Sequence, residues 1–241
     1  PKRYKSLERC VLSNNGISMI NFWVGYTPGR EQVNRKCRFS LERFGVKTHS
    51  VPHYYVKNTN NPFSRTRYLI PLIDYNEDNK WVAFVDDDFI FFKNPLSLVR
   101  DLDENKMVYC CKHENYVSKG EVKMGGRYKN VNYPRKNWSS FMIFNKEKYS
   151  LTCKEIFYAP MSYLHQMEWA EPEEKYIGSI PLEWNWLVNE PNYPDNEDIG
   201  AAHFTLGGPW YKTNVDNEYL KSIYDKHWIE MEEYDFNKDW S

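Results

Sequence analysis

The sequence predicts an α/β domain built on a mainly parallel central sheet flanked by helices. Two observations carry that expectation. Candidate strands and helices alternate through the first part of the chain, the order expected when helices return successive strands to one edge of a parallel sheet. The stretch WVAFV, Trp81 to Val85, is a continuous apolar run, which is the pattern of a strand covered on both faces. A third observation says where function would sit, because that strand runs directly into Asp86, Asp87 and Asp88.

The elements follow in order. SMINFWVGY, Ser18 to Tyr26, is rich in β-branched and aromatic residues and reads as the first strand. Gly29 to Gly45 reads as a helix closed by Gly45. THSVPHYYV, Thr48 to Val56, is a candidate second strand. SRTRYLIPLI, Ser64 to Ile73, has helical apolar spacing interrupted by Pro71 and leads into the acid-tipped strand. A helix is expected after Pro95, then strands at Lys106 to His113 and Ser139 to Asn145, and a helix over MSYLHQMEW, Met161 to Trp169. From Gly200 the chain mixes glycine turns with aromatics and ends acidic. There is no repeat, low-complexity tract or linker, so one domain over residues 1–241 is expected.

Composition excludes several classes of function. Lysine plus arginine (32) and aspartate plus glutamate (33) nearly cancel, so no general electrostatic case exists for nucleic acid or an anionic membrane. The five cysteines are odd in number and show no CxxC spacing, which favours reduced, mostly buried thiols over a disulfide framework. No apolar run reaches the roughly 20 residues of a membrane helix, and Pro1 opens no signal-peptide pattern. These features together predict a cytoplasmic protein without a transmembrane segment.

The three acids need an explanation, because an ionised carboxylate buried without a partner costs several kcal/mol. Side chains alternate across a strand, so Asp86 and Asp88 share one face while Asp87 points to the other. Two carboxylates so placed can grip one hard cation. Ligands of parallel α/β sheets bind beyond the carboxyl ends of the strands, which is where these acids lie. A turn or helix cap that favours aspartate would produce the same triplet. No Walker loop or GxGxxG is present.

Four stretches taken together resemble GT-A fold glycosyltransferases, close to glycosyltransferase family 8 and its bacterial and viral relatives. FVDDDFIFFKNP resembles the DxD strand, with Asp86 and Asp88 in the metal-ligand positions. TRYLIP, Thr66 to Pro71, resembles the preceding helix, whose arginine, here Arg67, faces the sugar nucleotide. LEWNWLV, Leu182 to Val188, resembles a Trp-Asn turn, here Trp184 and Asn185, on the sugar side. HFTLGGPW, His203 to Trp210, resembles the terminal motif in which the histidine is the third metal ligand. A DxD alone is a weak signal, and all four in order form a strong one.

The resemblance implies a metal-dependent transfer from a nucleotide-diphosphate sugar, a UDP-sugar above all, to a hydroxyl acceptor such as a glycan. It places the nucleotide-binding half at about 18–95 and the acceptor and sugar half at about 96–241. Two carboxylates and one imidazole suit Mn²⁺ or Mg²⁺ better than zinc or copper. Such a cation would bridge the diphosphate and neutralise the leaving group. Gly25, Tyr26 and Thr27, at the tip of the first strand, are candidates for base and ribose, and Asp87 for ribose or sugar. Gly207 and Gly208 would admit the phosphates to the backbone. The family usually carries a lysine where this chain has Gly208, and Lys212 is the candidate substitute. Asn137, Trp138 and Ser139, in RKNWSS, are candidates for sugar or acceptor contacts, with Trp138 equally suited to the core.

An inverting enzyme needs a general base beside the acceptor hydroxyl, and Glu171, Glu173 and Glu174 form the candidate acidic group. A retaining enzyme relies on leaving-group assistance, and Gln166 lies where family 8 has a functional glutamine. The sequence leaves inversion and retention both open. Two other classes stay in view. A non-catalytic carbohydrate-binding protein would account for the 9 tryptophans and 19 tyrosines but has no need of paired strand-end aspartates. A metal-dependent phosphohydrolase or nucleotidyltransferase would use the acids, usually with more carboxylates nearby or a basic track.

Overall fold

The computed structural model describes residues 20–51, 62–75, 78–170, 175–211 and 222–235. In chain order the strands are β1 Asn21–Val24, β2 Lys47–Ser50, β3 Trp81–Val85, β4 Phe89–Phe91, β5 Val108–Cys111 and β6 Val122–Lys123. They continue with β7 Tyr128–Lys129, β8 Phe141–Asn145, β9 Ile177–Ile180, β10 Trp186–Leu187 and β11 Ala201–His203. The helices are α1 Glu31–Glu42, α2 Pro62–Ile73, α3 Cys153–Tyr158, α4 Met161–His165 and α5 Ile223–Asp235.

The central sheet has the order β2-β1-β3-β8-β5-β9. Its strands share one direction except β8, which runs antiparallel between β3 and β5. The architecture is therefore the α/β layering expected from the sequence, with one reversed strand that periodicity does not reveal. Alternation along β3 sorts its side chains between two cores. Val82 and Phe84 join Tyr68 and Ile70 of α2, Ile156 of α3 and Leu164 of α4 on one face. Trp81, Ala83 and Val85 meet Cys37 and Leu41 of α1 on the other. Full burial of a side chain such as Phe84 contributes about 1.5–3 kcal/mol.

A second, three-stranded sheet, β10-β11-β4, continues from β3 through the aspartate turn. Phe89 and Phe91 face the core shared with α1, while Ile90, Ala202 and Phe204 face a third cluster with Tyr224 and Trp228 of α5. A short antiparallel hairpin, β6 with β7, stands apart from both sheets.

Several elements differ from the sequence reading. Pro71 lies within α2, which runs on to Ile73 although proline leaves the Arg67 carbonyl without its helical donor. After Pro95 there is only a 3-10 turn, Pro95–Val99, capped by the Asn94 side chain. The strand expected from Ser139 starts at Phe141, with Trp138–Ser140 in a 3-10 turn before it. The helix expected over Met161 to Trp169 splits into α4 and a 3-10 turn at Glu168–Ala170, with Met167 in the left-handed region (φ 54°). Of the second strand, β2 accounts for Lys47–Ser50, and residues 52–56 lie outside the described residues. Cys37, Cys110 and Cys111 are buried free thiols, and Cys153 is an exposed one. Among the described residues no helix is long and apolar enough to cross a membrane.

Candidate active site

The aspartates occupy the turn that joins β3 to β4 and thereby links the two sheets. Their backbone is paired, since Asp86 N–H donates to Ser140 O at 2.8 Å and Phe204 N–H donates to Asp88 O at 2.9 Å. The second bond ties the turn to β11, which ends at His203. The result brings Asp86, Asp88 and His203 together, with one ligand atom from each lying within 4.8 Å of the others. Asp87 turns away and pairs with Arg30 Nη2 at 3.0 Å. Because the three acids lie in a turn and not on the strand, the turn geometry and this ion pair set its direction, not the strand alternation expected from the sequence.

The orientation of His203 is set by its neighbours. Its Nδ1 lies 2.7 Å from Asn185 Oδ1. The Asn185 amide nitrogen donates to Asn137 O at 3.1 Å and to Ser140 Oγ at 2.9 Å, so the oxygen of that amide must be the atom facing the imidazole. His203 therefore carries its hydrogen on Nδ1 and presents a bare lone pair at Nε2. Phe89 stacks on the ring at 4.3 Å between centroids and 16° between planes, which fixes its tilt.

That lone pair faces an anion. Nε2 is 3.5 Å from Asp88 Oδ1, a buried oxygen to which no hydrogen bond is donated. Burial also pushes the His203 imidazole well below its ordinary range, an effect to which the charges of Lys123 and Arg67 add, so the ring is neutral. Burial raises the Asp86 carboxyl to about 7 against the opposing pull of Arg67, and it raises Asp88 as well. A lone pair and a buried carboxylate oxygen facing each other are repulsive unless a cation or proton lies between them. The donor set, two carboxylate oxygens and an imidazole nitrogen, fits a divalent cation such as Mn²⁺ or Mg²⁺.

Arg67 is buried, at 5% exposed, and braces this arrangement. It pairs with Asp86 Oδ1 through Nη2 at 2.9 Å, and its Nη1 donates to Ser139 O at 2.8 Å and Ser139 Oγ at 3.0 Å. Ser139 Oγ also meets His165 Nδ1 at 2.9 Å. Trp138 and Trp184 are both 4% exposed and packed in the two central cores. Asn137 is left-handed (φ 67°) and accepts from Thr205 Oγ1 through Oδ1 at 3.2 Å, which ties RKNWSS to the segment after His203. Gln166 caps α4, and its carbonyl accepts from Arg135.

Gly25, Tyr26 and Thr27 form the loop between β1 and α1. Gly25 N–H donates to Val85 O at 2.8 Å, which sets this loop beside the aspartate turn. The Tyr26 hydroxyl donates to Glu31 at 2.9 Å. At the far side, Gly207 is left-handed (φ 112°), and a Cβ on Gly208 would lie 2.3 Å from the Trp210 ring. No side chain fits at Gly208 unless that indole moves. Glu171, Glu173, Glu174 and Lys212 lie outside the described residues.

Sequence reading passed over Arg30, Ser140 and Lys123. Arg30 had no signal beyond its place after a strand tip. Ser140 follows from RKNWSS only once the fold sets it against Asn185. Lys123 had a visible signal, since VKMGGRYK pairs two short strands around a Gly-Gly turn.

No protein-family model matches the chain. Protein CDI of Arabidopsis thaliana is 32% identical over 247 residues, covering 92% of this chain and 90% of that protein. Among solved structures, an active-site mutant of LgtC aligns with a TM-score of 0.54 at 10% identity, covering 88% of this chain and 95% of that one. The galactosyltransferase LgtC in complex with donor and acceptor sugar analogs gives 0.52 at 11% identity, with the same two coverages, 88% and 95%. The glycosyltransferase GlyE of Streptococcus pneumoniae gives 0.53 at 13% identity, over 92% of this chain and 61% of that one. These likenesses establish the GT-A fold and do not establish membership of glycosyltransferase family 8.

Proposed function

The chain belongs to the family of Protein CDI of Arabidopsis thaliana, and on that premise we propose that it is a metal-dependent glycosyltransferase. The reaction is displacement at the anomeric carbon of a nucleotide-diphosphate sugar, a UDP-sugar in the first instance, by a hydroxyl of a glycan or similar acceptor. One observation carries the reading: the group Asp86, Asp88 and His203, the last two buried and the histidine tautomer set by Asn185, at the carboxyl end of the central strand of a GT-A fold. The GT-A likeness to the galactosyltransferase LgtC, solved with donor and acceptor sugar analogs, supports the choice of substrate class.

In this reading Asp86, Asp88 and His203 Nε2 hold the cation. When bound, it supplies Lewis-acid stabilisation of the departing diphosphate. Arg67 holds Asp86 toward the cation and Asn185 holds the His203 lone pair toward it. The loop Gly25, Tyr26 and Thr27 borders the nucleotide, and Arg30 holds Asp87 on that side. Inversion would draw its general base from Glu171, Glu173 or Glu174, whereas retention would lean on Gln166.

A panel of UDP- and GDP-sugars incubated with the protein and Mn²⁺, without acceptor, tests the proposal through slow release of free sugar. We expect one donor to be turned over with Mn²⁺ and none with chelator. If no donor on the panel is bound or hydrolysed, the reading fails. Cleavage of simple phosphate esters instead would favour a phosphohydrolase.

A further inference from the structure

We propose that Lys123, carried on the β6–β7 hairpin, is a donor-phosphate ligand that reaches over the cation site; this rests on the glycosyltransferase reading above.

The hairpin is fastened at both ends. At its tip, Met124 N–H donates to Leu206 O at 2.7 Å, so the turn lies against the segment that follows His203. A Cβ on Gly207 would stand only 3.3 Å from Met124 Cα, which shows how closely the two backbones approach. The adjacent Gly125 lies beside the Tyr211 ring, and the Arg127 guanidinium sits 5.3 Å from that ring's centroid. At its base, buried Lys136 Nζ donates to Asn130 Oδ1 at 2.6 Å and Ser118 Oγ at 2.8 Å. Asn130 N–H closes the hairpin on Glu121 O at 2.7 Å. Lys123 thus stands on a braced platform, one residue before the Met124 that lies against Leu206 and Gly207.

Charge explains what the residue is for. The Lys123 ammonium acts electrostatically on Asp86, Asp88 and His203 together. The other cations that reach the aspartates are committed, Arg67 to Asp86 and Arg30 to Asp87. Among the described residues no carboxylate pairs with Lys123. A divalent cation cancels the charges of Asp86 and Asp88, Arg30 cancels Asp87, and Arg67 alone leaves one positive charge in excess, whereas a nucleoside diphosphate carries about three negative ones. A further ammonium beside the phosphates reduces that imbalance. The glycine at 208 cannot supply it, since a side chain there meets Trp210.

Calorimetry of Lys123→Ala and Lys123→Arg with two probes, Mn²⁺ alone and UDP or GDP in the presence of Mn²⁺, tests the assignment. Loss of a charge-assisted hydrogen bond should weaken nucleotide binding about tenfold or more in Lys123→Ala, with partial recovery in Lys123→Arg. Affinity for Mn²⁺ alone should hold or tighten, because a like charge has been removed. Nucleotide affinity unchanged in Lys123→Ala overturns the assignment, and so does a parallel loss of Mn²⁺ affinity, which would mark Lys123 as a structural brace. If the wild type binds neither UDP nor GDP, the glycosyltransferase reading falls and this assignment with it.

Discussion

Replacing Asn185 with alanine should damage the cation site more than the fold. The substitution removes three hydrogen bonds, from His203 Nδ1 at 2.7 Å and to Asn137 O and Ser140 Oγ at 3.1 and 2.9 Å. Two of the abandoned groups keep each other, because Ser140 Oγ donates to Asn137 O at 2.6 Å. Only the buried His203 N–H is left without a partner, at about 1–3 kcal/mol. Adding the lost volume, destabilisation should be roughly 2–4 kcal/mol, or about 5–15 °C in Tm for a chain of this size. Freed from Asn185, the imidazole can carry its hydrogen on Nε2, the atom that would bind the cation. Mn²⁺ affinity should therefore fall about 10–100-fold, the usual cost of losing such an outer partner. Asn185→Asp separates the two effects, since it keeps an acceptor on His203 while losing both donors. It should lose stability yet retain Mn²⁺ binding. Calorimetric titration of Mn²⁺ with thermal melts of both variants reads this out. An Asn185→Ala protein that melts lower but binds Mn²⁺ within twofold of wild type would refute the reasoning.

Two further predictions follow from the same geometry. Arg67→Lys keeps the charge but cannot span Asp86 and Ser139 at once, so nucleotide-sugar affinity should fall about tenfold; an unchanged KM would contradict the bracing role. If product NMR shows inverted anomeric configuration, one of Glu171→Gln, Glu173→Gln and Glu174→Gln should lose about 10²–10⁴ in turnover with donor affinity nearly intact. Retained configuration with all three active would move the expectation to Gln166.

The parts of the site legible in the sequence are those written in local pattern. WVAFV shows a doubly covered strand, and the three aspartates mark the end of it at which Asp86 and Asp88 gather with His203. The separation of Asp87 follows from a turn that alternation does not describe. Long-range pairings left no such trace. β8 reads as an ordinary apolar strand, and nothing in FMIFN says that it runs antiparallel between β3 and β5. Asn185 was a candidate for sugar contact, yet it is fully buried behind His203, a relation set by residues 45 and 48 positions away in the chain. The pairs of Arg67 to Asp86 and Ser139 are likewise invisible in the sequence, since they arise because α2 packs directly on β3. The hairpin bearing Lys123 is marked in the sequence only by its Gly-Gly turn, because two-residue strands have too few positions to show a period.

The most direct test of the central claim is a calorimetric titration of UDP into the wild type and Asp88→Ala, each with Mn²⁺ and with chelator. Mn²⁺-dependent binding is expected for the wild type and none for Asp88→Ala. The variant's apo melting temperature should hardly fall, or should rise, because the substitution removes a buried carboxylate oxygen that receives no hydrogen bond. Wild-type affinity for UDP and Mn²⁺ in a well-folded Asp88→Ala protein would contradict that claim.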